Sequence, residues 1–322
     1  MQYNTLTGTN IKVSILSLGT MMFGKQTTEI DSLQIMDYAY EHGINLFDTA
    51  NVYNGGESEK IVGKGLKGRR EKIILATKVR YPMGDNPNDS GLNRRHIIAS
   101  VEASLKRLDT DYIDIYYMHA PDNDTSLEES LDTMTDLVKS GKIRYIGVSN
   151  YAAWQIADIH AICQKNHYIP PIITQNVYNP ITRGIENELI PFLKAHKMAM
   201  TIYNPIAAGL LAGKHKPGAP TQNTRFSNDA VYYDRYWSDE NFTAIEKLMT
   251  IASGQDISIL ELTLKWCIAQ PSVTTIITGV SRLSQIEQNI ASIQGEPLSA
   301  KTLAECDAVW LSLAGTRFGY NR

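Results

Sequence analysis

Two kinds of hydrophobic pattern alternate along the chain. Short runs rich in apolar and β-branched residues, at 17–19, 46–48, 73–78, 113–118, 145–148, 173–175, 200–203 and 275–277, read as strands. Between them, residues 29–42, 57–67, 94–107, 127–140, 152–165, 185–196 and 239–270 carry apolar side chains at the spacing of an amphipathic helix, as Leu127, Leu131 and Met134 do. Helices at 282–293 and 299–313 follow the last strand. A hairpin opens the chain: residues 2–6, a Thr7-Gly8-Thr9-Asn10 turn, then 11–14.

Eight strands, each followed by helix and repeating about every 30 residues, imply a parallel sheet. Eight units suit a closed barrel. The expected fold is therefore an α/β chain: a (β/α)8 TIM barrel with an N-terminal β-hairpin, one domain over residues 1–322. An open doubly wound sheet is the alternative, but it lacks a phosphate fingerprint near its first strand. The interval between the seventh and eighth strands is far longer than the others. Its Gly/Pro/Asn-rich part, 213–228, reads as loop that cannot be core, and a long loop in a compact domain usually serves function.

Composition narrows the function classes. The 322 residues hold 31 Lys and Arg against 34 Asp and Glu, a net charge of −3, with 43% hydrophobic and 20% charged residues. Interspersed charge of both signs gives no footprint for nucleic acid or a membrane surface. No apolar run approaches the roughly 18 residues a membrane span needs. No secretory signal is expected from the Met1-Gln2-Tyr3-Asn4 start, so a cytoplasmic protein is expected and the Asn88, Asn123 and Asn241 sequons are read as chance. Cys163, Cys267 and Cys306 sit in apolar helical patterns and read as buried, reduced thiols, with no metal-ligand spacing. Gly63-Lys64-Gly65-Leu66-Lys67-Gly68 fits G-x-G-x-x-G, but it ends a helix and precedes a strand, the reverse of the dinucleotide context.

In such a barrel the active site lies where the strands end. There the chain places Asp48 and, five residues on, Tyr53; then Lys78 in Ala76-Thr77-Lys78; then His119. An acid, a phenol, an amine and an imidazole at one rim are what proton transfer to a polarised oxygen needs. Each has a plain structural reading alone; the joint placement carries the inference.

These residues resemble the aldo-keto reductases, over nearly the whole chain. The resemblance rests on Phe47-Asp48-Thr49-Ala50 through Tyr53, Gly56 and Ser58-Glu59, on Ala76-Thr77-Lys78, His119, Gly147-Val148-Ser149-Asn150 and Gly279-Val280-Ser281 with Gln285 and Asn289. It implies reversible carbonyl reduction with a nicotinamide cofactor across the rim, and Asp48, Tyr53, Lys78 and His119 as the catalytic four. Tyr53 would be the general acid–base and His119 would orient the carbonyl. A lysine cation nearby would lower the tyrosine's ordinary pKa of about 10.

Chemistry and resemblance together assign the cofactor contacts. Gly19, Thr20 and Met21 follow the first strand, and Asp48, Ser149, Asn150 and Gln175 supply polar groups for the carboxamide. Tyr203 offers a face for stacking. Asn204, Pro205, Gly209, Leu210 and Lys214 form a small-residue loop for a pyrophosphate. Gly279, Ser281, Arg282, Gln285, Gln288 and Asn289 lead into a helix start, with Ser281 and Arg282 for a 2′-phosphate, which favours NADPH. Gln288 stands where the wider family commonly has glutamate.

Among the subfamilies, the chain looks most like the aflatoxin-aldehyde and succinic-semialdehyde reductases. That likeness implies an acidic substrate held by Tyr232, Arg235 and Arg322. Asp234 beside that site, and the 85–91 insertion, depart from the pattern. The expected partner is a small carbonyl substrate, without nucleic acid or membrane; a homo-oligomer is left open. Two other readings use the same scaffold: a non-catalytic NADP(H)-binding regulatory subunit, and an aldolase with Lys78 as Schiff-base nucleophile.

Overall fold

In a computed structural model of the chain, residues 1–222 and 224–314 are described. Strand β1 (Tyr3–Thr5) pairs antiparallel with β2 (Lys12–Ser14), Tyr3 opposite Ser14. Eight further strands follow: β3 (Leu16–Gly19), β4 (Leu46–Asp48), β5 (Ile74–Val79), β6 (Ile113–Met118), β7 (Ile143–Ser149), β8 (Ile173–Val177), β9 (Ala199–Tyr203) and β10 (Thr275–Gly279). They run parallel in chain order, and β10 closes onto β3. The expected hairpin and eight-stranded (β/α)8 barrel are both present.

Helices α1 (Glu29–Glu41), α2 (Glu57–Leu66), α3 (Arg94–Leu108), α4 (Leu127–Lys139), α5 (Ala153–Asn166) and α6 (Leu189–His196) connect the strands from β3 to β9. Between β9 and β10 lie α7 (Arg225–Asn228), α8 (Ala230–Tyr236), α9 (Asp239–Gly254) and α10 (Ile259–Ile268); α11 (Leu283–Ala291) and α12 (Ala300–Ala314) end the described chain. Helix starts follow local chemistry. Thr28, Asn93, Ser126 and Ser258 each accept a backbone N–H of the first turn, satisfying donors that have no helical partner.

Three expectations need correction. The pattern at 239–270 is two helices, α9 and α10: Asp256 turns left-handed at φ 57° and Ser258 caps a new start, so an unbroken apolar rhythm hid a turn. The pattern at 185–196 yields a full helix only from Leu189, after a single 3-10 turn over Gly184–Glu186. The 213–228 stretch is not all outside the core, because Phe226 is 3% exposed and packs against the Trp237 ring at 4.9 Å. One aromatic residue pins an otherwise polar loop.

Period-two alternation divides the barrel residues between two cores. Outward-facing Phe47, Leu75, Tyr116, Met118 and Ile146 pack under the helices. Inward-facing Leu46, Ala76, Ile115, Tyr117, Ile173 and Ala199 form a separate cluster with Leu6 and Val13 of the hairpin region. The hairpin thus plugs the N-terminal end of the barrel. The three cysteines are buried and unbridged, as expected.

The glycines of 63–68 are packing residues. A Cβ at Gly63 would lie 2.7 Å from the Leu108 carbonyl carbon, and one at Gly65 would lie 2.5 Å from Met36 Sδ. They let α2 approach the end of α3 and α1. Because the Gly63 neighbour is backbone, it cannot swing aside. Gly63→Ala is predicted to lower the unfolding free energy by roughly 1–3 kcal/mol in urea titration, with dinucleotide affinity unchanged; weakened nucleotide binding at intact stability would contradict this.

Candidate active site

The inward side of each strand alternates along its length, and its last inward position faces the open end of the barrel. β4 ends in Asp48, β5 carries Lys78, and His119 follows β6 directly; Ser149, Gln175 and Tyr203 occupy the rim positions of β7, β8 and β9. Ser149 lies opposite Gln175 in the β7–β8 register. Lys78 is fully buried; its Nζ donates to Asp48 Oδ1 at 2.5 Å and to the Thr49 carbonyl at 2.7 Å. Gln175 Nε2 donates to Asp48 Oδ2 at 2.9 Å. Burial pushes the Lys78 amine below its ordinary pKa, against the pull of Asp48. Beneath lies the Tyr117 ring, 6.0 Å from Nζ. Gly147 makes room for that ring, since any Cβ there would overlap it.

Tyr53 rides on a turn after β4. Asn54, Gly55 and Gly56 take φ of +52°, +64° and +92° in succession, and the two glycines adopt this at little cost. Asn54 Nδ2 donates to the carbonyls of Met21 and Phe23, tying the turn to the β3 loop. The Tyr53 ring centroid lies 5.2 Å from Lys78 Nζ, and the ring meets His119 edge-on at 6.0 Å. Burial first, then the Asp48 charge, holds the phenol well above its ordinary range. This reverses the expected direction. The Lys78 charge is already taken up by Asp48 and a carbonyl, leaving little to favour a phenolate. Burial, with the Lys78 and Arg80 charges, holds His119 well below its ordinary pKa, so its imidazole is neutral.

Asp48, Tyr53 and His119 open into a cavity of about 870 Å³, which Lys78, buried behind them, does not line. Its wall contains Asp48, Tyr53 and His119, and also Gly19, Thr20, Met21, Ser149, Asn150, Gln175, Tyr203, Asn204, Pro205, Gly209, Gly279, Ser281, Gln285 and Asn289. Tyr232 and Arg235 of α8 line it too. Leu210, Lys214, Arg282 and Gln288 do not: Leu210 is in the core, and the other three are exposed nearby. Arg322 lies outside the described residues. A second concavity of about 510 Å³, near the hairpin, includes Asn4, Lys194 and Lys197 and has none of the titratable groups named above.

Hydrogen bonds stiffen the wall. Asn150, left-handed at φ 64°, donates to the His119 carbonyl at 3.0 Å and accepts from the Tyr203 hydroxyl at 2.7 Å. Asn204 Oδ1 accepts the Ala208 N–H at 2.7 Å, holding a tight loop in which Ala207, Ala208 and Gly209 all have positive φ. A Cβ at Gly279 would meet nothing within 4 Å, so the wall is open there. The residues fit a nicotinamide nucleotide: amides and a hydroxyl at one place, an aromatic face in Tyr203, and glycine-lined wall where phosphates need close backbone approach.

Several lining residues were given no site role by the sequence reading: Met22, Gln26, Val52, Asn54, Tyr81, Pro82 and Arg225. Arg225 is the most consequential. Its Nη2 approaches Met22 Sδ at 3.1 Å, and its guanidinium lies 4.9 Å from the Tyr232 ring, which Arg235 also faces at 5.7 Å. The one signal was an Arg-Phe pair in a polar stretch.

Among the described residues no helix is long and apolar enough to cross a membrane, and no cluster of His, Cys, Asp and Glu suits a metal ion. The model of the aldo/keto reductase family matches residues 15–311. A probable voltage-gated potassium channel subunit beta of Arabidopsis thaliana is 35% identical over 92% of this chain and 93% of its own. An uncharacterised oxidoreductase of Bacillus subtilis is 34% identical over 91% of each chain. Aflatoxin B1 aldehyde reductase member 2 of Rattus norvegicus is 33% identical over 91% of this chain and 83% of its own. With a closed parallel barrel and a family match over nearly its whole length, the chain belongs to the aldo/keto reductase family, whose general activity is carbonyl reduction with nicotinamide nucleotides.

Proposed function

We propose that the protein is an NADPH-dependent reductase of aldehydes and ketones with Tyr53 as its proton donor. The observation that carries this reading is the Lys78–Asp48 pair buried beside Tyr53, with Asp48, Tyr53 and a neutral His119 on the wall of one cavity large enough for a dinucleotide and a small carbonyl compound. What bound NADPH supplies is a hydride for the carbonyl carbon. The chain's own part is the proton and the placement of the oxygen. Tyr53, with its pKa held up, keeps its proton through neutral pH and delivers it to the oxygen as negative charge develops there. Lys78 and Asp48 fix that end of the cavity. The neutral imidazole of His119 has one N–H to orient the oxygen.

Ser149, Asn150 and Gln175 would hold the carboxamide and Tyr203 the nicotinamide ring. Lys214, Ser281, Arg282 and Gln288 would reach the phosphates and adenosine end from the surface, which supports NADPH over NADH. Arg225 and Arg235, converging on Tyr232 without a salt-bridge partner among the described residues, favour an acidic substituent on the substrate. A small carbonyl compound in the cytoplasm is the proposed partner, with neither nucleic acid nor membrane. The channel-subunit relatives favour a second reading, nucleotide binding without turnover. Substrate-dependent NADPH oxidation distinguishes the two.

Tyr53→Phe is predicted to lower kcat for aldehyde reduction by at least ~100-fold while NADPH still binds, read by nucleotide absorbance and fluorescence; near-normal turnover would remove Tyr53 from the chemistry. With the phenol held above its ordinary range, reduction should keep its rate into alkaline solution. Alcohol oxidation, which needs the phenolate, should climb with pH. Arg235→Ala is predicted to raise the KM for succinic semialdehyde about tenfold, as loss of a charged contact does, without affecting a neutral aldehyde. Arg282→Ala should weaken NADPH but not NADH in fluorescence titration, and equal affinities in the unaltered protein would overturn the NADPH preference.

A further inference from the structure

The His119 backbone is tied down, its N–H donating to the Val79 carbonyl and its carbonyl accepting from Asn150, but its ring is not. Its Nδ1 is buried without a hydrogen-bond partner, so no polar contact there sets the ring's orientation. Ring packing must set it. Tyr53 stands edge-on at 6.0 Å and 78°, and Tyr81 edge-on at 4.9 Å and 75°. Tyr81 is itself backed by a cation: the Arg80 guanidinium carbon lies 5.1 Å from its ring centroid. We propose that Arg80 is a positioning residue for carbonyl reduction, its guanidinium clamping Tyr81 so that Tyr81 holds the imidazole of His119 at the angle that meets the substrate oxygen. The inference rests on His119 meeting that oxygen, as proposed above.

Three observations mark Arg80 as more than surface charge. Its Nε is buried and has no hydrogen-bond partner, and no salt bridge engages it among the described residues. Asp122, whose lowered pKa the Arg80 charge helps to set, spends its oxygens on the N–H groups of Leu92 and Asp124 and on the Thr125 hydroxyl. The Arg80 main chain is anchored separately, its carbonyl accepting the Gly91 N–H at 2.7 Å, so the 80–91 loop closes without help from the side chain. A half-buried cation with no hydrogen-bonded carboxylate against it is costly. Its stacking on Tyr81 offsets part of that cost.

The Arg80 charge also acts on His119. The groups facing the imidazole are Lys78 and Arg80 with Tyr81 from the end of β5, Tyr53 and the Lys78-paired Asp48 from β4, and, across the cavity, Tyr203, Tyr232 and Arg235. Of these, Lys78 and Arg80 disfavour protonation of the ring. Arg80 therefore has two effects, one mechanical through Tyr81 and one electrostatic.

The test compares Arg80→Met, Arg80→Lys, Tyr81→Phe and Tyr81→Leu with the unaltered protein and with His119→Ala. Each is assayed for kcat and KM across pH and for thermal unfolding, and His119 is titrated by NMR. Arg80→Met is expected to lower kcat about five- to tenfold, between the scales of an exposed and a desolvated cation–ring contact, with cofactor affinity and unfolding temperature unchanged. Its His119 midpoint should rise toward the ordinary value of about 6.5. Arg80→Lys should restore the midpoint and part of kcat; Tyr81→Leu should match the kcat loss of Arg80→Met but leave the His119 midpoint low, and Tyr81→Phe, which keeps the ring, should lose less kcat than Tyr81→Leu. Unchanged kcat and an unchanged His119 midpoint in Arg80→Met would overturn the inference. If Arg80→Met does not fold, Tyr81→Leu against Tyr81→Phe decides, since equal kcat in both removes the clamp. If His119→Ala itself turns over normally, the proposed role of His119 has failed instead.

Discussion

At the open end of the barrel a lysine and an aspartate are held away from water. Separated, each would be an uncompensated charge in a poor dielectric, at a cost of several kcal/mol. Together, 2.5 Å apart, with the Thr49 carbonyl and the Gln175 amide meeting their remaining valences, they form a tolerable unit. The surroundings support that unit. The Ser58 hydroxyl lies within 2.9 Å of the hydroxyls of Thr49 and Thr20 and donates to the Thr20 carbonyl, locking the turn whose carbonyl receives Lys78. One residue on, fully buried Glu59 accepts from Thr77 on the opposite face of β5 and pairs with Arg107 of α3. The strand bearing Lys78 is therefore held from both faces.

That anchoring explains how a strong acid–base character is kept out of the tyrosine until it is needed. A free ammonium against Tyr53 would draw off the phenolic proton. An ammonium already satisfied by a carboxylate leaves it in place. The same economy governs His119, kept neutral by burial and two cations. Neutral donors in a closed space perturb a polar ligand less than ions would, and they require no counter-ion to enter with it.

Much of this was legible in the sequence, for definable reasons. Strand positions and the rim set of Asp48, Lys78 and His119 follow from a period of two ending at the same level on successive strands. That regularity survives in one dimension. What depends on how loops fold over the mouth does not. Arg225 reaches Met22 across some two hundred residues of chain, and Arg80 acts through a ring rather than a hydrogen bond. The break between α9 and α10 was invisible because apolar spacing continues across it; only the left-handed Asp256 and the Ser258 cap reveal it. The direction of the Tyr53 shift required knowing that Lys78 was already spoken for, which is a matter of distances and not of composition.

The hairpin closes the end of the barrel opposite the cavity. Leu6 and Val13 close the barrel floor with inward residues of the strands, and Tyr3 ties to the Gly43 carbonyl on that side. A segment fused ahead of Met1 would leave the molecule opposite the cavity mouth. Substitutions in the turn from Thr7 to Asn10 likewise touch nothing that lines the cavity. The molecule thus offers one end for attachment, immobilisation or stabilisation and the other for chemistry, and the two ends can be altered by independent engineering.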